Sequence, residues 1–226
     1  MALYVHGVKL VMTQCYRHSS VAIICYSVYN NELYFLLGKE TKRQTQKYGK
    51  WCAFGGVPEY AETVLETAVR EFMEESLCVI QLKNDQSVHP SKYASTLRAL
   101  LQQQQYHLCC KVLIGNVLRI FYTIRIPWQP DVCQRFERTR TSLLRVHRNK
   151  LQQVPFSLRH HPSVMHFNGH QHINPAYLEK TCIRYWHCDK LRQIQHQNYM
   201  KYKFRHGFLN SLFAILPNMY RRTKCV

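Results

Sequence analysis

Two apolar runs rich in β-branched and aromatic residues, "SVAIICYSV" at 20–28 and "ELYFLLGKE" at 32–40, flank the turn residues "YNN". They predict an antiparallel strand pair. The polar loop "TKRQTQKYGK" leads to "WCAFGG" at 51–56, a further strand ending in two glycines. From Thr63 the period lengthens. Val64, Leu65, Ala68, Phe72 and Met73 recur at helical spacing, with no Gly or Pro until after Leu77. "LCVIQL" at 77–82 reads as a strand leaving that helix. Between 83 and 110, "YASTLRALLQQQQYHLCC" reads as a helical insertion with its four glutamines outward, Cys109 and Cys110 being strand packing. "KVLIGNVLRIFYTIRI" at 111–126 predicts a second strand pair, closed by Pro127 and Pro130. A basic helix is expected at 135–154, then a Pro/His-rich segment, then a tail with helical spacing from about Ala176. The pattern divides the chain into a core at 1–130 and a basic, largely helical extension at 131–226, packed on the core or forming a small lobe.

Charge sharpens that division. The 226 residues carry a net charge of +18, from 31 Lys/Arg against 13 Asp/Glu. Through Ser76 eight basic residues balance eight acids, whereas from Leu77 onward 23 face five. A one-sided excess of this size gathers polyanions, of which nucleic acid is the commonest in cells. The ten cysteines are scattered, several inside apolar runs, as in a reduced intracellular protein. No signal peptide and no membrane span are expected, and the location is intracellular, cytoplasmic or also nuclear.

The acids are as uneven as the bases. Six of the 13 lie between Glu59 and Glu75. On the expected helix, Glu71, Glu74 and Glu75 stand at i, i+3 and i+4, so their carboxylates can converge on one face. Such a set suits a hard divalent cation, Mg²⁺ or Mn²⁺, and Gly55 and Gly56 let backbone approach it.

The stretch resembles the Nudix hydrolase signature, G-x5-E-x7-R-E-U-x-E-E-x-G-U, with U a bulky apolar residue. Gly56, Glu62, Arg70, Glu71, Phe72, Glu74, Glu75 and Cys78 match in register. Leu77 replaces the last glycine, which suggests a different helix exit, and Phe54 replaces a common proline. The resemblance implies an α/β/α sandwich around a mixed β-sheet, over residues 20–130. It also implies hydrolysis of a nucleoside diphosphate linked to another moiety. By that analogy Glu74 and Glu75 ligate the metal, Glu71 is a ligand or the water-activating base, the Gly56 carbonyl joins the metal, and Arg70 positions a glutamate. Such proteins often place a second catalytic carboxylate outside the motif. Asp85, Asp131, Glu137, Glu179 and Asp189 are the candidates, with Asp131 and Glu137 preferred. The whole chain also resembles viral Nudix proteins, particularly the baculovirus ADP-ribose pyrophosphatase group.

Family substrates range from ADP-ribose to the 5′ cap of mRNA, and a basic half suits capped RNA. On that reading Arg135, Arg138, Arg140, Arg145, Arg148, Tyr185, Trp186, Lys201 and Lys203 contact RNA, the products being methylated GDP and 5′-monophosphate RNA. ADP-ribose is the alternative substrate. A second alternative is an RNA-binding protein with a vestigial core. A structural Zn²⁺ is weighed from the His/Cys-rich second half, where His166 and His170 have the inner spacing but lack a partner pair.

Overall fold

The computed structural model describes residues 3–5, 8–10, 20–41, 49–83, 90–103, 107–114, 117–149, 155, 158, 160–167, 170–197 and 203–223. Strands β1 (Leu3–Val5) and β2 (Val8–Leu10) form a separate ribbon. Asn30 and Asn31 both take positive φ, 49° and 62°. That turn folds β3 (Ser20–Tyr29) back on β4 (Glu32–Glu40), giving the expected hairpin. Short strands β5 (Trp51–Cys52) and β6 (Phe54–Gly56) extend β4 and β3. After helices α1 (Val64–Ser76) and α2 (Pro90–Gln102), β7 (His107–Ile114) pairs with β8 (Val117–Arg125). β8 then runs parallel to β3, which makes the sheet mixed.

Helix α3 (Val132–Asn149) leads to a hairpin of β9 (Val164–Phe167) and β10 (His170–Ile173), then β11 (Lys180–His187), α4 (Cys188–His196) and α5 (Phe208–Thr223). The main sheet has the order β11–β4–β3–β8–β7. Its side chains alternate between two cores. Val21, Ile23, Leu36, Ile120 and Ile183 pack beneath α1, α2 and α3, while Ile24, Phe35, Leu37, Phe121 and Trp186 pack beneath α4 and α5. The architecture is the expected α/β/α sandwich around a mixed sheet.

Some local expectations need correction. Residues 180–187 are a strand, not part of a helical tail, because "KTCIRYWH" is β-branched and aromatic and the outer edge of β4 needs a partner. Both cores therefore draw on both halves of the chain. The insertion is helical only to Gln102, after which "HLCC" joins the sheet as part of β7.

"LCVIQL" is not a strand either. Leu77 and Cys78 both have positive φ, 56° and 54°, which turns the chain away from a sheet edge. Its backbone is satisfied by a side chain. Gln81 N–H donates to Gln129 Oε1, and Gln129 Nε2 donates to the Gln81 carbonyl, both at 2.8 Å.

Leu77 also keeps the left-handed helix exit expected of glycine, with φ 56° and ψ 24°. For a leucine this costs about 1–2 kcal/mol. The side chain is only 1% exposed and sits in the core under α1, and such burial contributes roughly 1.5–3 kcal/mol. Burial wins. Leu77→Gly should therefore lower stability by about 1–3 kcal/mol, because the lost packing exceeds the relieved strain. A denaturation midpoint that rises in this variant would show that strain is the larger effect.

Candidate active site

Helix α1 begins with a capping box. Thr63 Oγ1 accepts from Glu66 N–H at 3.2 Å, and Thr63 N–H donates to Glu66 Oε2 at 2.9 Å. That fixes the helix phase, and the phase aims Arg70, Glu71, Glu74 and Glu75 toward the glycine pair.

Arg70 is the hub. Its Nε donates to Glu62 Oε1 at 2.6 Å, and its Nη1 donates to Glu71 Oε1 at 3.0 Å and to Glu74 Oε2 at 3.2 Å. The Arg70 hydrogen bond holds Glu62 down at about 2. Glu62 in turn accepts from Glu59 N–H and Thr67 Oγ1, so it shapes the loop before the helix. Glu71 lies directly against Gly56: a Cβ there would fall 2.2 Å from Glu71 Oε1. Gly55 is equally constrained, since a Cβ would meet the Val21 carbonyl at 2.1 Å.

Glu75 also meets the glycine pair and is 3% exposed. Its Oε2 accepts from Gly55 N–H at 2.6 Å, and its Oε1 lies 2.9 Å from Lys180 Nζ. Lys180 arrives from β11 fully buried. Its ammonium also donates to Glu40 Oε1 at 3.1 Å and to Cys52 Sγ at 3.0 Å, while the Cys52 thiol donates to Glu40 Oε1 at 3.1 Å. Its stem fills the space over Gly38, where a Cβ would come within 3.0 Å of Cδ. Burial alone would push the ammonium down, but Cys52, Glu75 and Glu40 hold it well above its usual value.

Burial dominates the carboxylates that face the cleft. It raises Glu71, lifts Glu74 to about 7 and lifts Glu75 to about 8, against the pull of Arg70 or Lys180. The charge of Glu179 also raises Glu71 and Glu74. It stands exposed one residue before Lys180.

The structure thus brings Gly56, Arg70, Glu71, Glu74 and Glu75 together. It does not bring Asp131 or Glu137 to them. Asp131 is held by Arg135 at the start of α3, and Glu137 is exposed on that helix. The RNA candidates divide. Arg135 donates to the Val79 carbonyl and to Gln129 Oε1, and Arg140 Nε donates to the Lys180 carbonyl at 2.6 Å, so both tie α3 to the core. Trp186 packs edge-on between Trp51 and Phe204, and Tyr185 stacks on Trp128 at 4.2 Å. Arg138, Arg145 and Arg148 are exposed on α3, and Lys203 is half-buried. Lys201 lies outside the described residues, as do the side chains of His166 and His170. Of the His/Cys-rich second half, His187 caps α4 and Cys188 fills the core. Among the described residues no helix is long and apolar enough to cross a membrane.

Residues 18–108 match the family model of the NUDIX domain. That stretch is similar to a Nudix domain. An uncharacterized protein of Acanthamoeba polyphaga mimivirus is 39% identical over 70 residues, covering 30% of this chain and 23% of the relative. Among solved structures, the NUDIX domain of Shewanella oneidensis NrtR complexed with ADP ribose aligns with 89% of this chain and 87% of its own, at 12% identity and a TM-score of 0.43. A C. elegans Ap4A hydrolase binary complex aligns with 89% and 98%, at 10% identity and a TM-score of 0.40. Sequence reasoning missed Lys180, Glu40 and Cys52, which carry no motif and meet through the β11–β4–β5 pairing.

Proposed function

We propose that this protein is a metal-dependent pyrophosphohydrolase whose substrate is the 5′ cap of RNA. The observation that carries the hydrolase reading is the arrangement of Glu71, Glu74 and Glu75 around Arg70 and Gly56. The donor set fits Mg²⁺ or Mn²⁺, being all carboxylate and carbonyl oxygen. The space left by the absent Gly56 side chain lets Glu71 and the Gly56 backbone approach a common point. Among the described residues these groups are not gathered into a ready cluster, since Arg70 draws Glu71 and Glu74 and Lys180 draws Glu75. Glu71, Glu74, Glu75 and the Gly56 carbonyl would hold the cation, which neutralises diphosphate charge and makes a bound water more acidic.

The chain's own groups do the rest. Arg70 fixes the rotamers of Glu71 and Glu74. Glu71, raised by burial, is suited to take a proton from the attacking water, and Glu179 serves as the carboxylate outside the motif in place of Asp131 and Glu137. An open cleft of about 480 Å³ beside Arg70, lined in part by Tyr60, Glu66, Met73 and Arg98, offers room for the group carried by the diphosphate. The +18 charge and the exposed Arg138, Arg145 and Arg148 support RNA as that group.

A competition tests the substrate. With Mg²⁺ or Mn²⁺, cap-labelled RNA is expected to release methylated GDP in preference to cleavage of equimolar ADP-ribose. Faster ADP-ribose cleavage that ignores added RNA would replace the cap with ADP-ribose.

Stability should report the same site. Glu74 and Glu75 are raised in the folded state, so their contribution is fully present below about 4.5 and is lost as pH rises through 7 and 8. The metal-free thermal midpoint should therefore fall between pH 5 and pH 8.5, and millimolar Mg²⁺ should flatten that fall. An equal slope with and without the cation would separate these carboxylates from metal binding.

A further inference from the structure

The chain leaving β8 carries Trp128 back over three strands of the main sheet. Its ring stacks on Tyr29 of β3 at 4.7 Å and 15°, and on Tyr185 of β11 at 4.2 Å and 28°. It also leans against Tyr34 of β4 at 5.0 Å. The backbone beneath these rings is pinned. Ile126 N–H donates to the Tyr26 carbonyl at 2.9 Å, Ser27 Oγ to the Ile126 carbonyl at 3.0 Å, and Gln129 Nε2 to the Pro127 carbonyl at 3.2 Å. The rings are therefore in place before any ligand arrives, which removes part of the ordering cost of binding.

The stack is not closed off by the fold. Tyr29 is 44% exposed, one of the few large apolar side chains so open among the described residues. Trp128 walls an open cleft of about 470 Å³, lined also by Val28, Leu82, Lys83, Arg125 and Pro127. Lys83 and Arg125 are exposed there. The carboxylate in the aromatic cluster, Glu32, accepts from Tyr34 Oη at 2.8 Å and lies 3.5 Å from His187 Nε2. Any nucleobase has a face that stacks on an aromatic ring, and cations beside the ring take the phosphates between bases. The net charge of +18 favours a polyanion as the occupant.

The cleft is remote from the acidic helix. Val21 pairs with Gly56, and Val28 stands seven positions further along β3, about 23 Å away at roughly 3.3 Å per residue.

We infer that Tyr29 and Trp128, with Arg125 and Lys83 beside them, form a stacking site for single-stranded RNA at the end of the sheet away from the candidate active site. It rests on the capped-RNA reading for its occupant and not for its geometry. An RNA whose 5′ end lies at Glu71 and Glu74 would be held here by its body.

The test needs no turnover and no metal. A fluorescein-labelled 12-nucleotide single-stranded RNA, uncapped, is titrated by anisotropy against wild type, Y29S, Y29F and R125Q at several salt concentrations. Loss of one stacked base should weaken Y29S roughly 5–150-fold, whereas Y29F keeps the ring and the affinity. R125Q leaves the stack intact and should reduce the salt slope by about 0.7. Trp51 and Trp186 are buried, so RNA should quench tryptophan emission through Trp128, and W128F should abolish that quenching. Thermal midpoints of every variant separate lost stacking from misfolding. If wild type binds RNA and Y29S and R125Q bind it identically, the stacking site is overturned while the cap reading stands. If wild type does not bind RNA, both fall, and the hydrolysis of ADP-ribose is left to be judged by its own assay.

Discussion

Lys180→Met should destabilise the protein by about 3–5 kcal/mol at pH 8, the usual cost of leaving buried charge unpaired. Methionine matches the stem that fills the space over Gly38, so the change isolates the ammonium. Without it, Glu40 and Glu75 face each other across a water-poor pocket, and the Cys52 thiol is the remaining donor to Glu40. The loss should shrink at pH 6. Glu75 sits near 8 with the lysine present, so at pH 6 it binds a proton readily and a proton replaces the missing charge. Denaturant midpoints of both proteins at the two pH values give the answer. A loss under about 1 kcal/mol at pH 8 would mean that water reaches Nζ and the pair behaves as an exposed one.

Glu75→Gln should reduce turnover by at least about 100-fold, the upper range for groups that merely support a metal ligand. The amide is nearly the same shape, so the argument rests on donors and acceptors. Glu75 accepts on both oxygens, from Gly55 N–H at 2.6 Å and from the ammonium at 2.9 Å. A glutamine keeps one acceptor and points its NH₂ either at an N–H or at an ammonium. The side chain must turn, and the anionic oxygen offered to the cation disappears. Direct titration with Mn²⁺ alongside the rate measurement checks this. Full activity with unaltered Mn²⁺ affinity would remove Glu75 from the ligand set.

The candidate site was legible where geometry is local. Glu71, Glu74 and Glu75 lie on one helix, and helical spacing alone decides that they share a face with Arg70 beside them. The β3–β4 hairpin was legible for the same reason, since two asparagines supply its turn. What lay beyond reading is set by distant contacts. Leu77 takes a glycine-like conformation because the core around it rewards the side chain, and no local preference reveals that reward. The tail was read as helical because β4's need for a partner is invisible within residues 180–187. Charge was the least transparent. A count assigns Arg135 and Arg140 to an RNA surface, whereas the fold turns both onto backbone carbonyls.

The late arrival of Lys180 has a consequence for synthesis. The ammonium meets the Cys52 thiol across 128 positions of chain, and Glu75 lies between them in sequence. A ribosome adding roughly 5–20 residues per second exposes the acidic helix several seconds before β11 can dock. Through that interval Glu75 has no lysine to answer it. A chain that stops short of β11 would therefore keep every letter of the motif and lack the edge that seats one of its glutamates.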